Sequence, residues 1–359
     1  MNATVAPFPP PASTSLLDDV LRCPLSGRPM RRLADACASP SDAEIRFQFD
    51  DGVLRAALAD DGARALVAHE IKAFYAEHPF PNYDELETVG SLIEKSLARG
   101  FPEMLNRSIP PHARVLEAGC GTGQLGNFLS IAQRRVLSVD MCLNSLRLGQ
   151  RFKHQNQLTG VTFAQMNLFR LPLRPASFDV VICTGVLHHT ADPHEGYRRL
   201  LTLVRPGGHI NIGLYNRYAR LQTRLRGLLL RLMGERFARL DPYLRQHPMA
   251  EGKFRAWFMD QYRNPHESLH TIDEVLRWFD ASGMHFVRAL PGTIFGSRFA
   301  LDYRRSLFED EPRGSHADRL LAQCHAMLTD TEGGLFIMIG RTPGGGGPRG
   351  VERECPERS

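Results

Sequence analysis

Between residues 113 and 214, short apolar runs alternate with stretches whose apolar positions recur every three or four residues, a pattern that predicts β-strands separated by helices. Strands are expected at 114–117, 135–139, 161–165, 178–183 and 209–214, with two more at 285–290 and 335–340. Residues 124–133 read as the helix that follows the first strand. A later helix at 272–279 is capped by Thr271, with Glu274 three positions on completing a capping box. Strand and helix in alternation imply a parallel sheet covered on both faces. The fold class expected is therefore α/β, a doubly wound, mostly parallel seven-stranded sheet, and ligands of such sheets bind beyond the carboxyl ends of the strands.

Outside this region the pattern changes. Residues 1–15 and 342–359 are too poor in bulky apolar side chains to repay ordering, so both are expected to be disordered. Residues 16–60 form an accessory hairpin module, with a strand-like 45–49, an Asp51-Gly52 turn and Val53-Leu54 beyond it. Its opening, 21–30, resembles the first knuckle of the small Trm112-like zinc ribbons that precede some methyltransferases, but Ser26 stands where the second knuckle cysteine belongs. Four tetrahedral ligands cannot be assembled, so no metal is expected. Residues 61–112 are a helical lid or linker, broken at 78–83 by two prolines and bearing Phe80 and Tyr83. That link could cross a ligand pocket or simply staple a helix to the domain. The main domain is expected over 113–341, with a cap inserted at about 215–270.

The chemistry starts where the first strand runs into glycine. Residues 115–123 place Glu117 at the strand's end and Gly119, Gly121 and Gly123 in the turn after it. Residues 121–126 also satisfy G-x-G-x-x-G, which alone would suggest a dinucleotide. Glu117 argues otherwise: its carboxylate would repel a pyrophosphate and attract an ammonium or a sulfonium. S-adenosylmethionine carries both cations. After the second strand Asp140 stands where an acid grips ribose hydroxyls, or caps the helix starting near Cys142. After the third strand Asn167 can accept from an adenine amino group, or form the turn.

Six ordered segments then carry a resemblance: 115–123, Val139-Asp140, 171–173, 178–181, Gly185-Val186-Leu187-His188-His189 and 205–208. Over residues 113–214 the chain resembles the class I S-adenosylmethionine-dependent methyltransferases, of the methyltransferase-11 type that includes ubiquinone and menaquinone C-methyltransferases. The resemblance implies that Glu117 faces the methionine ammonium, Asp140 the ribose and Asn167 the adenine, where the family usually carries aspartate. Cys120 in the turn and the strand-end residues Met141, Leu168 and Thr184 complete the expected cofactor-binding set. His188 and His189 are the catalytic candidates, since histidine titrates near neutrality; the pair could equally cap a helix entry. Methyl transfer itself needs in-line positioning more than a base.

Acceptor specificity is expected in the insertion. Leu221, Leu225, Leu228, Leu229 and Leu232 follow helical spacing, and Arg217, Arg220, Arg224, Arg226, Arg231, Arg236, Arg239 and Arg245 crowd the same segment. Three readings apply to this basic amphipathic helix: a cap packing its leucines on the core, a membrane-surface helix over about 217–239 suited to a lipid-like acceptor, and a polyanion face for RNA. The first is the plainest. Tyr83, Tyr215, Asp260, Tyr262, His266 and His270 are the candidates for the acceptor wall.

Composition narrows the class further. A formal net charge of +5 on 359 residues is mild and does not by itself mark a nucleic-acid binder. Seven scattered cysteines without a Cys-x-x-Cys pair fit a reducing, cytoplasmic setting. The reading is a methyltransferase of a small-molecule or lipid-like acceptor. An RNA methyltransferase, an NAD-dependent oxidoreductase and a non-catalytic cofactor-binding module are its alternatives.

Overall fold

A computed structural model describes residues 15–41, 45–60, 62–77, 79–81, 83, 88–98, 100–233, 251–295, 305–329 and 333–344. Helix α1 (Leu16–Val20) leads into strands β1 (Arg31–Arg32), β2 (Ala36–Ala38), β3 (Arg46–Asp50) and β4 (Val53–Arg55). Helices α2 (Gly62–Glu77), α3 (Val89–Ala98) and α4 (Phe101–Ser108) follow. The alternating region then gives β5 (Arg114–Ala118), α5 (Gln124–Ile131), β6 (Arg135–Asp140), α6 (Leu143–Gln155), β7 (Val161–Gln165), β8 (Phe178–Thr184), α7 (Pro193–Leu201) and β9 (Val204–Tyr215). Helices α8 (Arg220–Met233), α9 (Glu251–Arg263) and α10 (Ile272–Ala281) precede β10 (His285–Leu290), α11 (His316–Thr329) and β11 (Leu335–Arg341).

The strands join one sheet in the order β1-β2-β3-β4-β7-β6-β5-β8-β9-β11-β10. The seven expected strands are its larger part. β7, β6, β5, β8 and β9 run parallel, and β11 pairs antiparallel with both β9 and β10. The sequence-based count of seven is extended by the four strands of the N-terminal module. β4 closes a hairpin with β3 and also pairs parallel with β7, so the module is continuous with the main sheet.

Parallel strands buried on both faces explain the unbroken apolar runs. Val115, Val136, Val161 and Val180 enter one core, while Leu116, Leu137, Ala164 and Val181 enter the other. From β5 the chain winds through β6 to β7 on one side, and β8 and β9 lie on the other. The winding reverses between β5 and β8, which opens a crevice at their carboxyl ends.

The insertion departs from the plainest reading of its sequence. Helix α8 faces inward through Arg220 and Thr223, which are buried like Ala219 just before it, while Leu221, Leu225, Leu228, Leu229 and Leu232 are 44–74% exposed. Their helical spacing defines a stripe, as expected, but the stripe does not pack on the core. The inward positions are polar or small because the helix is fixed by Arg220 rather than by leucine burial. Arg236, Arg239 and Arg245 lie outside the described residues.

Candidate active site

Parallel register sets Glu117 opposite Ser138, one level below the ends of β5 and β6. Ser138 donates its hydroxyl hydrogen to Glu117 Oε2 at 2.7 Å, and the Gly126 backbone N–H also binds the carboxylate. A side chain at Gly126 would put its Cβ 2.6 Å from Glu117 Oε2. The last glycine of the G-x-G-x-x-G pattern is therefore spent on admitting Glu117 beneath the first turn of α5. No pyrophosphate is needed to explain it.

Asp140 ends β6 with its carboxylate turned back over the glycine turn. Its Oδ2 accepts from Gly121 N at 2.9 Å and its Oδ1 from Cys142 N at 2.7 Å. It thus clasps the turn and caps the entry to α6 at the same time. Burial raises the Asp140 carboxyl to about 6. Burial, and after it the like charge of Asp140, raises the Glu117 carboxyl to about 7. Neither acid has a basic side-chain partner among the described residues. A cationic ligand fits such a pair of uncompensated carboxylates, because a buried acid without a counter-charge is costly.

The 79–83 link presses onto this turn. Gly121 sits at φ 54° with the Phe80 carbonyl where a Cβ would be, and Thr122 donates its hydroxyl hydrogen to the Pro81 carbonyl. Asn127 Nδ2 donates to Tyr83 Oη at 2.8 Å, and the Tyr83 ring stacks on Phe152 with centroids 4.8 Å apart. Tyr83 is thereby held against α5 and α6. Cys120 is buried within the turn. Met141 accepts from Gln165 Nε2 through its carbonyl.

At the end of β7, Asn167 is buried and fully engaged. Its Oδ1 accepts from Phe169 N at 2.9 Å, and its Nδ2 donates to Leu58 O at 3.0 Å and to Asp60 Oδ2 at 2.8 Å. Of the two roles the sequence left open, this geometry is that of the turn-former. Leu168, next along, is half-buried.

The ends of β8 and β9 build a second cluster. His188 lies in a 3-10 turn at Leu187–His189, fully buried, with its ring 3.9 Å from that of Tyr215 and 4.2 Å from that of His189. Neither ring nitrogen of His188 has a hydrogen-bond partner among the described residues, and neither has Thr184 Oγ1. Burial holds the His188 imidazole well below its ordinary pKa. His189 differs: its Nδ1 is held by the His266 carbonyl at 2.7 Å. The His266 ring bonds the Thr190 carbonyl, and His270 lies between Ser268 and Glu274. Thr271 caps α10 and Glu274 returns to the Thr271 backbone, the capping box read from sequence.

Arg220 ties the insertion to this cluster. Its guanidinium lies 3.8 Å over the Tyr215 ring and donates to Glu267, to Gln261 and to the Gly333 carbonyl. Gln261 Nε2 in turn donates to Tyr215 Oη and to Asp260. Tyr75 from α2 donates to Asp260 Oδ1 at 2.6 Å and accepts from Asn264. Burial and then Asp260 push the Tyr75 phenol up. Tyr262 instead joins Trp257 and Phe258. The sequence reading missed Tyr75, Gln261, Ser268 and Ser138. Only Ser138 had a signal, as the residue level with Glu117 on the adjacent strand; nothing in α2 marks Tyr75.

Residues 116–212 match the model of a methyltransferase domain family. Among curated relatives, a ubiquinone biosynthesis O-methyltransferase of Albidiferax ferrireducens is 32% identical over 117 residues, 32% of this chain and 46% of that one. The Acinetobacter baylyi protein of the same name is 26% identical over 175 residues, 48% of this chain and 67% of that one. An uncharacterised Synechococcus protein is 28% identical over 214 residues, 51% of each chain. The match thus spans about half the length of the Synechococcus and Albidiferax relatives. A solved structure of Haemonchus contortus phosphoethanolamine N-methyltransferase 2 with S-adenosyl-L-methionine superposes with a TM-score of 0.43 at 16% identity, covering 79% of this chain and 59% of that one.

The two raised carboxyls set a pH dependence. Each binds its proton more tightly folded than unfolded, so its contribution to stability is complete below the ordinary carboxylate range and is lost as pH rises through about 6 for Asp140 and about 7 for Glu117. Glu117→Gln should match the wild type in denaturant melts near pH 4 and exceed it at about pH 8, by on the order of 1–3 kcal/mol. Identical profiles for the two proteins would show that Glu117 is not the buried titrating group.

Proposed function

We propose that this chain, whose residues 116–212 form a methyltransferase domain of the class I S-adenosylmethionine-dependent kind, moves a methyl group from that donor to a small-molecule or lipid-like acceptor. The observation that carries the reading is the pair of neighbouring carboxylates, Glu117 buried and Asp140 half-buried at the strand end, with no basic side chain among the described residues to offset them. The donor brings an ammonium and a sulfonium, the latter a methyl group on a good leaving atom. Glu117 offers the ammonium a carboxylate at the end of β5, and Asp140 offers the ribose two oxygens once its backbone contacts loosen. A dinucleotide would set its pyrophosphate against those same charges, which disfavours the oxidoreductase alternative.

The acceptor enters beside β8 and β9. His188 is the group this reading assigns to it: a fully buried imidazole whose nitrogens have no partner among the described residues is an expensive arrangement, and a hydroxyl or amine supplied by a ligand satisfies it. Its depressed pKa keeps it neutral at pH 7 and makes it a weak base, so its part is to hydrogen-bond and orient the acceptor as the methyl moves. His189 and His266 each have one ring nitrogen, and His270 both, committed within the protein, and they serve to hold the wall. Alignment of donor and acceptor supplies the rest of the acceleration.

The exposed leucines of α8 support the lipid-like half of the reading. The helix begins at Arg220, which grips the acceptor wall, carries no acid over 217–233, and has Arg217 and Arg224 exposed near the stripe. An apolar stripe edged by cations suits an anionic lipid surface. It carries no aromatic residue on which bases could stack, which disfavours RNA. No helix among the described residues is long and apolar enough to cross a membrane.

Calorimetric titration of the full chain should show binding of S-adenosylhomocysteine and none of NAD; the reverse would remove the methyltransferase reading. Asp140→Ala and Glu117→Ala should each weaken that binding by about tenfold or more, as charge-assisted contacts do. With an acceptor captured by labelled donor from fractionated extract, His188→Ala should lower kcat by about a hundredfold or more while leaving donor affinity unchanged. An unaltered kcat would exclude His188 from the acceptor. In flotation with phosphatidylglycerol vesicles the wild type should float and a Leu225→Asp, Leu228→Asp double variant should not; equal behaviour would detach α8 from any lipid role.

A further inference from the structure

The N-terminal module places Leu58 and Asp60 against Asn167 at the end of β7. Register fixes where the parts of the donor must lie, on the reading proposed above. Adjacent parallel strands put β5, β6 and β7 side by side, with Asp140 level with Gln165 and Gln165 level with Arg55 of β4. With the methionine ammonium at Glu117 on β5 and the ribose at Asp140 on β6, the base continues in the same direction, over the end of β7. The polar groups waiting there belong to two segments. One is Asn167. The other is the stretch that continues from β4, where Ala56 N extends the ladder to Gln165 O at 2.9 Å and Arg170 holds the Ala59 carbonyl at 2.6 Å.

Asn167 has little to give a base. Both hydrogens of its amide are donated, to Leu58 O and Asp60 Oδ2, and its oxygen already accepts from Phe169 N. An adenine amino group needs an acceptor, and a neutral carboxamide oxygen already sharing one lone pair is a weaker one than a free carboxylate oxygen. Asp60 supplies what is missing. Asn167 holds Asp60 by Oδ2 at 2.8 Å, and Oδ1 has no partner among the described residues. We infer that Asp60, carried in by the strand added beside β7 and oriented by Asn167, accepts the exocyclic amino group of the donor's adenine and so selects adenine over 6-oxopurine. A carboxylate only accepts, so a base with a carbonyl at that position would set oxygen against oxygen, while an amino group would make a charge-assisted bond. Asn167 then acts as a positioning residue, and the four extra strands have a reason to be fused to the main sheet.

The test uses two products that differ at one position of the base, S-adenosylhomocysteine and S-inosylhomocysteine, titrated calorimetrically into the full-length wild type and variants. The wild type should prefer the adenosyl compound by about tenfold to a hundredfold, the range of a hydrogen bond to a charged group. Asp60→Asn, close in shape and able to donate, should bring the ratio to about one or invert it. Asp60→Ala should weaken the adenosyl compound and leave the inosyl compound nearly unchanged, and Asn167→Ala should lower the preference by releasing Asp60. A preference unchanged in both Asp60 variants, with their melting temperatures preserved, overturns the assignment while leaving the methyltransferase reading intact. A wild type that binds neither compound removes the donor reading and the assignment together.

Discussion

Holding two carboxylates side by side, one buried and one half-buried, without a cation among the described residues is the constraint around which the rest of this molecule is arranged. Glu117 and Asp140 stand at the ends of neighbouring parallel strands, and each is kept in place by hydrogen bonds from neutral donors: the Ser138 hydroxyl and Gly126 N–H for one, the N–H groups of Gly121 and Cys142 for the other. Neutral donors hold the acids without cancelling them. A lysine or arginine in the same place would stabilise the free protein and oppose a cationic ligand. The raised carboxyls measure how much of the burial cost remains uncompensated.

The same constraint explains the glycines better than a phosphate-binding pattern does. Gly126 exists so that Glu117 can pass under the first turn of α5, and Gly121 so that the Phe80 carbonyl can lie against the turn. The resulting crevice is roofed by the N-terminal half of the chain. The stretch after β4 is tied to Asn167, α2 brings Tyr75 to Asp260, and the 79–83 link is tied to Thr122 and Asn127. Tyr75 thereby joins the N-terminal part of the chain to Asp260 of the insertion.

On the acceptor side, one histidine is distinguished from its neighbours by what it lacks. His189, His266 and His270 each have at least one ring nitrogen bonded within the protein, whereas His188 has none so engaged among the described residues. Arg220 acts as the keystone beneath them, joining Tyr215, Gln261, Glu267 and the turn at Gly333. Because α8 is anchored through that arginine, its leucines are left free to face outward.

The local pattern determined a great deal. Periodicity placed β5 to β11 to within a few residues, except that β9 starts earlier, because the alternation of apolar runs with amphipathic stretches follows directly from burial on both faces of a parallel sheet. Glu117 and Asp140 were legible for the same reason: a strand's end is visible in sequence, and an acid there stands at the crevice. The Thr271-Glu274 capping box is likewise a contact between residues three apart. What sequence could not decide was everything set by distance along the chain. Tyr75 meets Asp260 across 185 positions, Asn167 meets Asp60 across 107, and the Leu stripe of α8 looks the same from the sequence whether it turns inward or outward. Hydrophobic spacing fixes which residues share a face, but which face meets the core depends on the partner that anchors the helix, here a buried arginine, and that choice is made only when the chain closes on itself.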